Sequence, residues 1–410
     1  MASEITVCTV SGTENTAVQS DKQETAENQL VIGQVEAKIR QSYNLEHPKV
    51  VKILLKAFFC LIVVRAFLML HPKISEEMKS KFGNYQTDQT FGKEMRIEYV
   101  WQACYSIQYI LYMEGMRSEV VARFLADVHR FLKEPKFKQY VSRMRKIVDV
   151  ISASTVAVTC LFELVSVSIM IRSSYKQEGF CCLRYIVSAI LTITWNIIAV
   201  RAWLAAAFCL MVACHVQVCM VQEVAKDLDE ELSKDVVLFG RTSTCLHEIM
   251  IKFSNVWNRV SRYDRLFSKF LFCVYYLSPP TAASAIYIIS SPRIYQSLPL
   301  LLIAIFSASI QIFCMMMIYW EAGRVHTQIS RLFKLMISLL IRYGRNYPIS
   351  DRIVLQRTVK KISSNQFPIC MTCGSIIPLT STTILEFAAG ATQLSVLVLS
   401  SSLLDSEVFK

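Results

Sequence analysis

The chain has 410 residues, of which 53% are hydrophobic and 19% are charged, and its mean hydropathy is +0.37. Soluble domains are about 45–50% apolar and about 25% charged, so this composition excludes an ordinary soluble domain. The net charge is +12, but the Lys and Arg residues flank hydrophobic blocks of about the length of a membrane-spanning helix. That placement argues against nucleic acid as a partner and favours a lipid bilayer.

A polar N-terminal segment precedes seven hydrophobic segments. Residues 1–47 are rich in Ser, Thr, Glu and Gln, which predicts a cytoplasmic, largely disordered segment without a cleavable signal peptide. The hydrophobic segments are long enough to cross a bilayer as helices. We number them spans 1 to 7, and they cover residues 49–70, 99–116, 147–171, 185–212, 266–289, 298–320 and 382–404. The predicted fold class is an all-α membrane protein with seven transmembrane helices in residues 48–410.

The distribution of Lys and Arg predicts the orientation. The long segments after spans 2, 4 and 6 hold most of the positive charge, and the segments after spans 1, 3 and 5 hold far less. Positive segments stay on the cytoplasmic side. The N terminus is therefore expected in the cytoplasm and the C terminus outside, which is the reverse of a G-protein-coupled receptor.

The cytoplasmic segments also show helical periodicity. Apolar residues recur at spacings of three and four after spans 4 and 6, as in Val224, Leu228 and Leu232. Such stripes need a partner face. We expect spans 4, 5 and 6 to continue as helices below the membrane and to pack together. The alternative is that these helices lie on the anionic inner leaflet.

Signatures of catalysis and of metal binding are nearly absent. The sequence has no Gly-x-Ser-x-Gly, no Gly-rich phosphate loop and no His-Glu-x-x-His, so we expect no enzyme and no cofactor. Cys370 and Cys373 form one CxxC pair, which supplies only two of the four ligands of a structural zinc site, so no metal is expected. The sequence leaves open whether Cys181 or Cys182, in an outside loop, forms a disulfide.

Arg262-Tyr263-Asp264-Arg265 precedes span 5. It superficially resembles the ionic motif of G-protein-coupled receptors, but that motif follows the third helix there. We interpret it as a charge pair on a cytoplasmic helix.

Aromatic and polar side chains in the outer halves of spans 2 to 6 predict a pocket for a small-molecule ligand. Pockets of this kind have aromatic walls and a few polar groups. A break of the helix at Pro279-Pro280 would open space toward the outside. The alternative for each aromatic is a place in the core or at the membrane interface. The predicted ligand-binding residues are Trp101, Tyr105, Tyr109, Glu163, Trp195 and Tyr287.

The last span carries a polar stripe. Its members recur at spacings of four, three, four and three, which places them on one helical face. If several copies met on an axis, this face would form an acidic ring, a polar middle and an apolar constriction near Val396 or Leu397. The alternative is a stripe buried against spans 5 and 6. The predicted pore-lining residues are Glu386, Gly390, Gln393, Leu397 and Ser400.

The span layout resembles that of the insect gustatory and odorant receptors, and the nematode gustatory-receptor-like and serpentine class r receptors share that plan. At the level of sequence, Cys373-Gly374, Ile377-Pro378-Leu379 and the Thr-containing last helix resemble their terminal region. The gustatory signature there is Thr-Tyr, four or five apolar residues and Gln-Phe, of which only Thr392 matches. This departure favours a divergent branch such as the nematode one.

The resemblance implies a chemosensory receptor in the plasma membrane of sensory neurons. Members that are channels assemble as tetramers, so a homo- or hetero-tetrameric, ligand-gated cation channel is the first expectation. Gln393 and Leu397 would then face the pore, and the striped cytoplasmic helices would form the contacts between subunits. The second expectation is a seven-span receptor without its own pore that signals through intracellular partners. Whether the stimulus is chemical or light stays open.

Overall fold

The computed structural model describes residues 49–71, 73–75, 96–115, 118–174, 181–233, 242–290, 298–343, 349–363 and 370–408, together with residues 33 and 37. These residues form helices and one short hairpin. The elements are α1 (Lys49–Leu70), α2 (Arg96–Gly115), α3 (Ser118–Phe131), α4 (Pro135–Ser174), α5 (Cys181–Ser233), α6 (Thr242–Ser290), α7 (Leu298–Tyr343), α8 (Ile349–Ser363), β1 (Thr372–Cys373), β2 (Ile377–Pro378) and α9 (Ser381–Val408).

Four helices run well beyond the length of a bilayer. Helices α5 and α7 continue without interruption past the ends of spans 4 and 6, and α6 begins well before the start of span 5, as expected from the sequence. Helix α4 also begins earlier than span 3, at Pro135, a residue type suited to the first turn of a helix because it needs no amide donor there. The extension of α4 was not part of the prediction.

The apolar stripes of these extensions lie in the protein core. Val224 and Leu228 of α5 are buried, and so are Leu332 and Met336 of α7. Residues 206–214 of α5 are all buried, which is typical of a helix enclosed on every side. The expectation that the extensions pack together is therefore confirmed, and the alternative of stripes lying on the inner leaflet is wrong for these residues. Val236 and Phe239, which continue the α5 stripe, lie outside the described residues.

Ion pairs join the helical extensions to one another. Lys252 of α6 contacts Asp227 of α5 at 2.7 Å, and Arg331 of α7 contacts Asp229 of α5 at 3.6 Å. Helix α3 is tied to α5 by Arg130 and Glu223 at 3.1 Å. These pairs are exposed or half exposed, so each contributes at most about 1 kcal/mol. They set which helix faces which, whereas burial of the stripes supplies most of the stability.

Much of the remaining surface is apolar and exposed. Continuous faces of this kind are typical of proteins whose solvent is a bilayer. By length and hydropathy, two segments of the described residues qualify as membrane spans, Val50–Leu70 and Ile190–Glu230. The count of seven spans and the inverted orientation stay predictions. The exposed apolar residues include Val50, Ile53, Leu61 and Phe67 on α1, Leu161 and Leu164 on α4, Leu302 and Phe313 on α7, and Leu385 and Val396 on α9.

Helix α6 does not break at Pro279-Pro280. It continues through both prolines to Ser290. Ser278 and Thr281 are buried beside them, and the Thr281 hydroxyl donates a 2.8 Å hydrogen bond to the Ser278 carbonyl. Packing of the surrounding residues thus holds the helix together where the local sequence predicts an opening. The N-terminal segment 1–47 lies, except for residues 33 and 37, outside the described residues.

Candidate ligand site and pore-lining helix

Polar contacts hold α2 against α5 in the middle of the helical bundle. The indole N–H of Trp195 donates to the Ser106 hydroxyl at 3.1 Å, and that of Trp203 donates to the Gln108 side-chain oxygen at 2.6 Å. All four residues are buried. A buried indole N–H needs such an acceptor, because an unpaired donor in an apolar surrounding costs the free energy of its lost hydration.

Two of the predicted ligand-binding aromatics, Tyr105 and Trp195, lie at this interface, and a third, Tyr109, packs on α1. Tyr105 is half-buried and meets Trp203 edge to face, with ring centroids 5.9 Å apart. Tyr109 is buried, and its ring centroid lies 4.7 Å from that of Phe59. Trp195 is the buried donor to Ser106. The structure therefore places Tyr105 and Trp195 at the same interface of α2 and α5, and Tyr109 and Trp195 are part of the packed core.

The other predicted ligand-binding residues are less well defined. Trp101 lies on α2 one turn before Tyr105 and is half-buried. Glu163 lies on α4 and Tyr287 on α6, and their side chains are outside the described part of the chain. Their role in ligand binding stays a prediction.

Sequence analysis missed Ser106 and Trp203 as partners at this interface. Ser106, Gln108 and Trp203 are buried, and Gln102 accepts a 3.4 Å hydrogen bond from Arg65 of α1. The available signal was the presence of amides and a hydroxyl inside a membrane span, since such groups face protein or water rather than lipid. Tyr105, which meets Trp203 at this site, keeps some exposed surface, and so does Trp101 one turn earlier on α2.

The half-buried and the buried aromatics should respond differently to truncation. We expect Tyr105→Ala to leave the surface level of the protein near wild type and to shift the ligand concentration that gives half-maximal response. We expect Tyr109→Ala to lower the surface level, because truncating a buried aromatic costs about 3–5 kcal/mol. Surface biotinylation together with a dose–response measurement separates the two effects. An unchanged ligand response in Tyr105→Ala would place the ligand elsewhere.

Most of the described side chains of α9 are exposed. Those that are buried, Thr383 and Phe387, share one face, and the Phe387 ring centroid lies 4.9 Å from that of Tyr319 on α7. The predicted pore-lining stripe lies beside this face, about 80° around the helix from it at 100° per residue. Its members Glu386, Gly390, Gln393, Leu397 and Ser400 are all exposed in the single chain. The alternative, a stripe buried against spans 5 and 6, is therefore wrong.

A small hairpin connects α9 to the helical extensions. Strands β1 and β2 pair antiparallel, with Thr372 opposite Pro378. Gly374 and Ser375 both have positive φ, near +63° and 62°, and the Ile376 amide donates to the Cys373 carbonyl at 3.1 Å. Positive φ at both central residues is the feature of a type I′ turn, which suits the twist of a hairpin.

The CxxC pair lies at the start of this hairpin, with Cys370 two residues before β1 and Cys373 at the end of β1. Cys370 and Cys373 are buried free thiols, and burial raises the pKa of each to about 12. A thiol with such a raised pKa stays protonated and unreactive at physiological pH. Among the described residues, no three or more His, Cys, Asp and Glu side chains are grouped so that they could hold a metal ion.

The interpretation of Arg262-Tyr263-Asp264-Arg265 as a helix charge pair needs correction. Asp264 does not pair with an arginine but accepts hydrogen bonds from Thr372 of the hairpin, at 2.6 Å from the amide and at 2.8 Å from the hydroxyl. Tyr263 donates to Asp127 of α3, which also binds Arg259 at 2.6 Å. Contacts across helices thus determine the partners, and the local spacing of charges does not.

No protein-family model and no curated protein matches the sequence. Among solved structures, the insect olfactory receptor OR5 from Machilis hrabei is similar with a TM-score of 0.53 at 12% sequence identity, over 86% of this chain and 89% of that one. The same receptor in complex with eugenol is similar with a TM-score of 0.50 at 11% identity, over 85% of this chain and 99% of that one.

This chain has the fold of an insect olfactory receptor. The expected resemblance is thereby confirmed at the level of the fold and of the all-α architecture. The gustatory type and the nematode branch stay predictions, because identities of 11–12% carry no finer assignment.

Proposed function

We propose that this protein is a subunit of a ligand-gated cation channel that detects a small molecule, with α9 lining the pore. The observation that carries the proposal is the exposed stripe of α9 on a chain with the fold of an insect olfactory receptor. A helix that leaves a carboxylate, an amide and a hydroxyl uncovered at membrane depth needs either water or other copies of the same face.

The stripe has the order of parts that a cation pore needs. Glu386 and Ser400 lie about 21 Å apart along α9 at 1.5 Å of rise per residue, which is most of the thickness of a hydrocarbon core. Around an axis, Glu386 would form a ring of negative charge, Gln393 a polar middle and Leu397 an apolar constriction. Rings of carboxylates select cations, and apolar constrictions close a pore by excluding water.

The ligand site proposed is the region between α2 and α5 around Tyr105. The receptor of similar fold was solved in complex with eugenol, a small aromatic molecule. The edge-to-face pair of Tyr105 and Trp203, with Gln108 beside it, offers an aromatic wall and a polar group to a ligand of that size. Eugenol is therefore a suitable first probe.

The proposed assembly is a homo- or hetero-tetramer in the plasma membrane of sensory neurons, with the N terminus in the cytoplasm. The positive-inside distribution of Lys and Arg supports this orientation. Epitope tags at both ends, stained with and without permeabilisation, test it. An N-terminal tag stained without permeabilisation would contradict the orientation. It would also contradict the position of Glu386 at the cytoplasmic end of α9.

Signalling through intracellular partners is the second candidate function. It is favoured by the absence of the Gln-Phe that ends the gustatory signature after Thr392. The Thr392 hydroxyl, which matches that signature, donates to the carbonyl of Ala388 in its own helix at 2.8 Å. Under this alternative the protein reaches the surface and responds to ligand but passes no current.

Recording from cells that express the chain alone separates the two functions. We expect a cation current, and we expect Glu386→Gln to lower the permeability of divalent relative to monovalent cations because the ring loses its charge. Glu230→Gln on α5 is a matched control, since Glu230 is exposed and far along the chain from α9. A verified surface protein without current under eugenol or any other stimulus would favour the second function.

A further inference from the structure

The start of span 5 is bound to the hairpin that precedes α9. The Asp264 carboxylate lies on α6 just before the span, and it accepts two hydrogen bonds from Thr372: one from the amide at 2.6 Å, and one from the hydroxyl, whose oxygen lies 2.8 Å from both carboxylate oxygens. Bonds to a charged acceptor are about twice as strong as neutral ones. Thr372 itself is buried, so little water competes for them.

Further contacts fix the hairpin in the same place. The Gly374 amide donates to the Ser268 carbonyl of α6 at 2.9 Å, and the Gln217 amide of α5 contacts the Met371 sulfur at 3.5 Å. A Cβ added at Gly374 would lie 2.7 Å from a ring carbon of Phe272 on α6. The hairpin backbone therefore approaches α6 as closely as glycine allows.

The link from the hairpin to α9 is short and capped. Strand β2 ends at Pro378 and α9 begins at Ser381. The Thr380 amide donates to the Thr383 hydroxyl at 3.0 Å, and the Thr383 amide donates to the Thr380 carbonyl at 3.2 Å. Reciprocal bonds of this kind stabilise the first turn of a helix. A displacement of the hairpin is thus passed to Glu386 within two turns of α9.

We propose that Asp264 is a positioning residue of the pore, which through Thr372 holds the hairpin on α6 and thereby sets the place of α9. This inference rests on the proposed channel function. The Asp264–Thr372 contact then affects the equilibrium between the closed and the open pore, because release of the hairpin frees the start of α9 to move relative to span 5.

The contact is also sensitive to protons from the cytoplasmic side. Burial raises the pKa of Asp264 to about 6, and the bonds from Thr372 and the charge of Arg265 only partly oppose this rise. The other titratable groups that act on it are the thiols of Cys214, Cys370 and Cys373. Their pKa values are raised by burial as well, so these thiols carry no charge at neutral pH.

The raised pKa fixes the sign of the pH effect. A released and hydrated carboxyl has a pKa near 3.8, whereas the docked carboxyl has one of about 6. The docked state therefore binds the proton more tightly, so acid favours docking, and docking weakens as the pH rises from about 4 to about 6. Thr372→Val also weakens docking, because it removes the hydroxyl and keeps the shape. Acid and Thr372→Val must then shift the current in opposite directions.

The first experiment measures the hairpin without reference to current. Purified full-length protein in nanodiscs is treated with a maleimide at neutral pH, and labelling of Cys370 and Cys373 is followed by mass spectrometry, with the same protein in denaturant as the reference for complete labelling. We expect labelling about tenfold faster in Thr372→Val and in Asp264→Ala, and near the wild-type rate in Thr372→Ser, which keeps the hydroxyl. Unchanged labelling in both weakening variants would overturn the inference.

The second experiment measures the consequence for the pore. In inside-out patches, with and without eugenol, we expect Thr372→Val to change the current about threefold or more. We expect the wild-type current to vary with cytosolic pH around a midpoint near 6, and acid to shift it in the direction opposite to Thr372→Val. The current of Asp264→Asn should not vary with pH in this range. Faster labelling with an unchanged current would overturn the positioning role. A wild-type protein that conducts nothing would contradict the channel function, and the labelling of the hairpin would then decide the inference alone.

Discussion

Replacing Asp127 by alanine is expected to lower the free energy of unfolding by about 2–3 kcal/mol. The Asp127 side chain is 15% exposed and accepts hydrogen bonds from both Arg259 and Tyr263 of α6. The substitution leaves a guanidinium and a buried hydroxyl without their acceptor, and an unsatisfied group costs more than the bond contributed. These contacts of Asp127 join α3 to α6, so the substitution also loosens the packing of the two helices.

The measurement is thermal unfolding of the purified protein in detergent, with Glu230→Ala as the matched control. Glu230 forms an exposed pair with Lys226 at 3.7 Å within α5, and such pairs contribute about 0.3–0.5 kcal/mol. We expect a lower unfolding temperature by several degrees for Asp127→Ala and a change near zero for the control. Equal effects of both substitutions would show that Asp127 is not a structural link between α3 and α6.

Leu397→Ala is expected to raise the current in the absence of ligand by about tenfold. Leu397 is 64% exposed in the single chain, and in the proposed assembly its side chains form the apolar constriction. Removing three carbons from each copy widens the constriction, and a wider apolar passage fills with water and conducts. The expected result is a leak that ligand increases only slightly.

Leu385→Ala provides the control for this experiment. Leu385 lies on the same helix and is also exposed, but at 100° per residue it lies about 120° around the helix from Leu397. Whole-cell recording at matched surface levels should show the leak in Leu397→Ala alone. A leak of the same size in both variants would indicate a general loosening of α9 and not a constriction at Leu397.

The long helices and their buried stripes could be predicted from the sequence because both follow from local periodicity. Val224 and Leu228 repeat with the helical period, and a stripe of that kind has to be covered by another helix. The exposed stripe of α9 was predictable for the same reason, since Glu386, Gln393 and Ser400 share one face whatever surrounds them.

The partners of single polar groups could not be predicted, since they depend on contacts distant in the chain. Asp264 and Thr372 are more than one hundred residues apart, and the nearby arginines of α6 suggested a different partner. The hairpin was not predicted. Gly374 and Ser375 are a turn signal, but each strand has only two residues, which is too short for a recognisable strand pattern. Likewise, Trp195 was predicted to form an aromatic wall of the ligand pocket, but its indole N–H donates to the Ser106 hydroxyl in the core.

The most direct test of a pore lined by α9 is the accessibility of single positions along that helix. Gln393→Cys and Ser400→Cys place a thiol on the stripe, and Leu394→Cys places one on the neighbouring, half-buried face. A positively charged thiol reagent is applied from outside during recording with the channel held open by ligand, with wild type as the control for native cysteines. We expect the current to be blocked in the two stripe variants and to stay unchanged in Leu394→Cys. A block in Leu394→Cys with none on the stripe would contradict a pore lined by this face of α9.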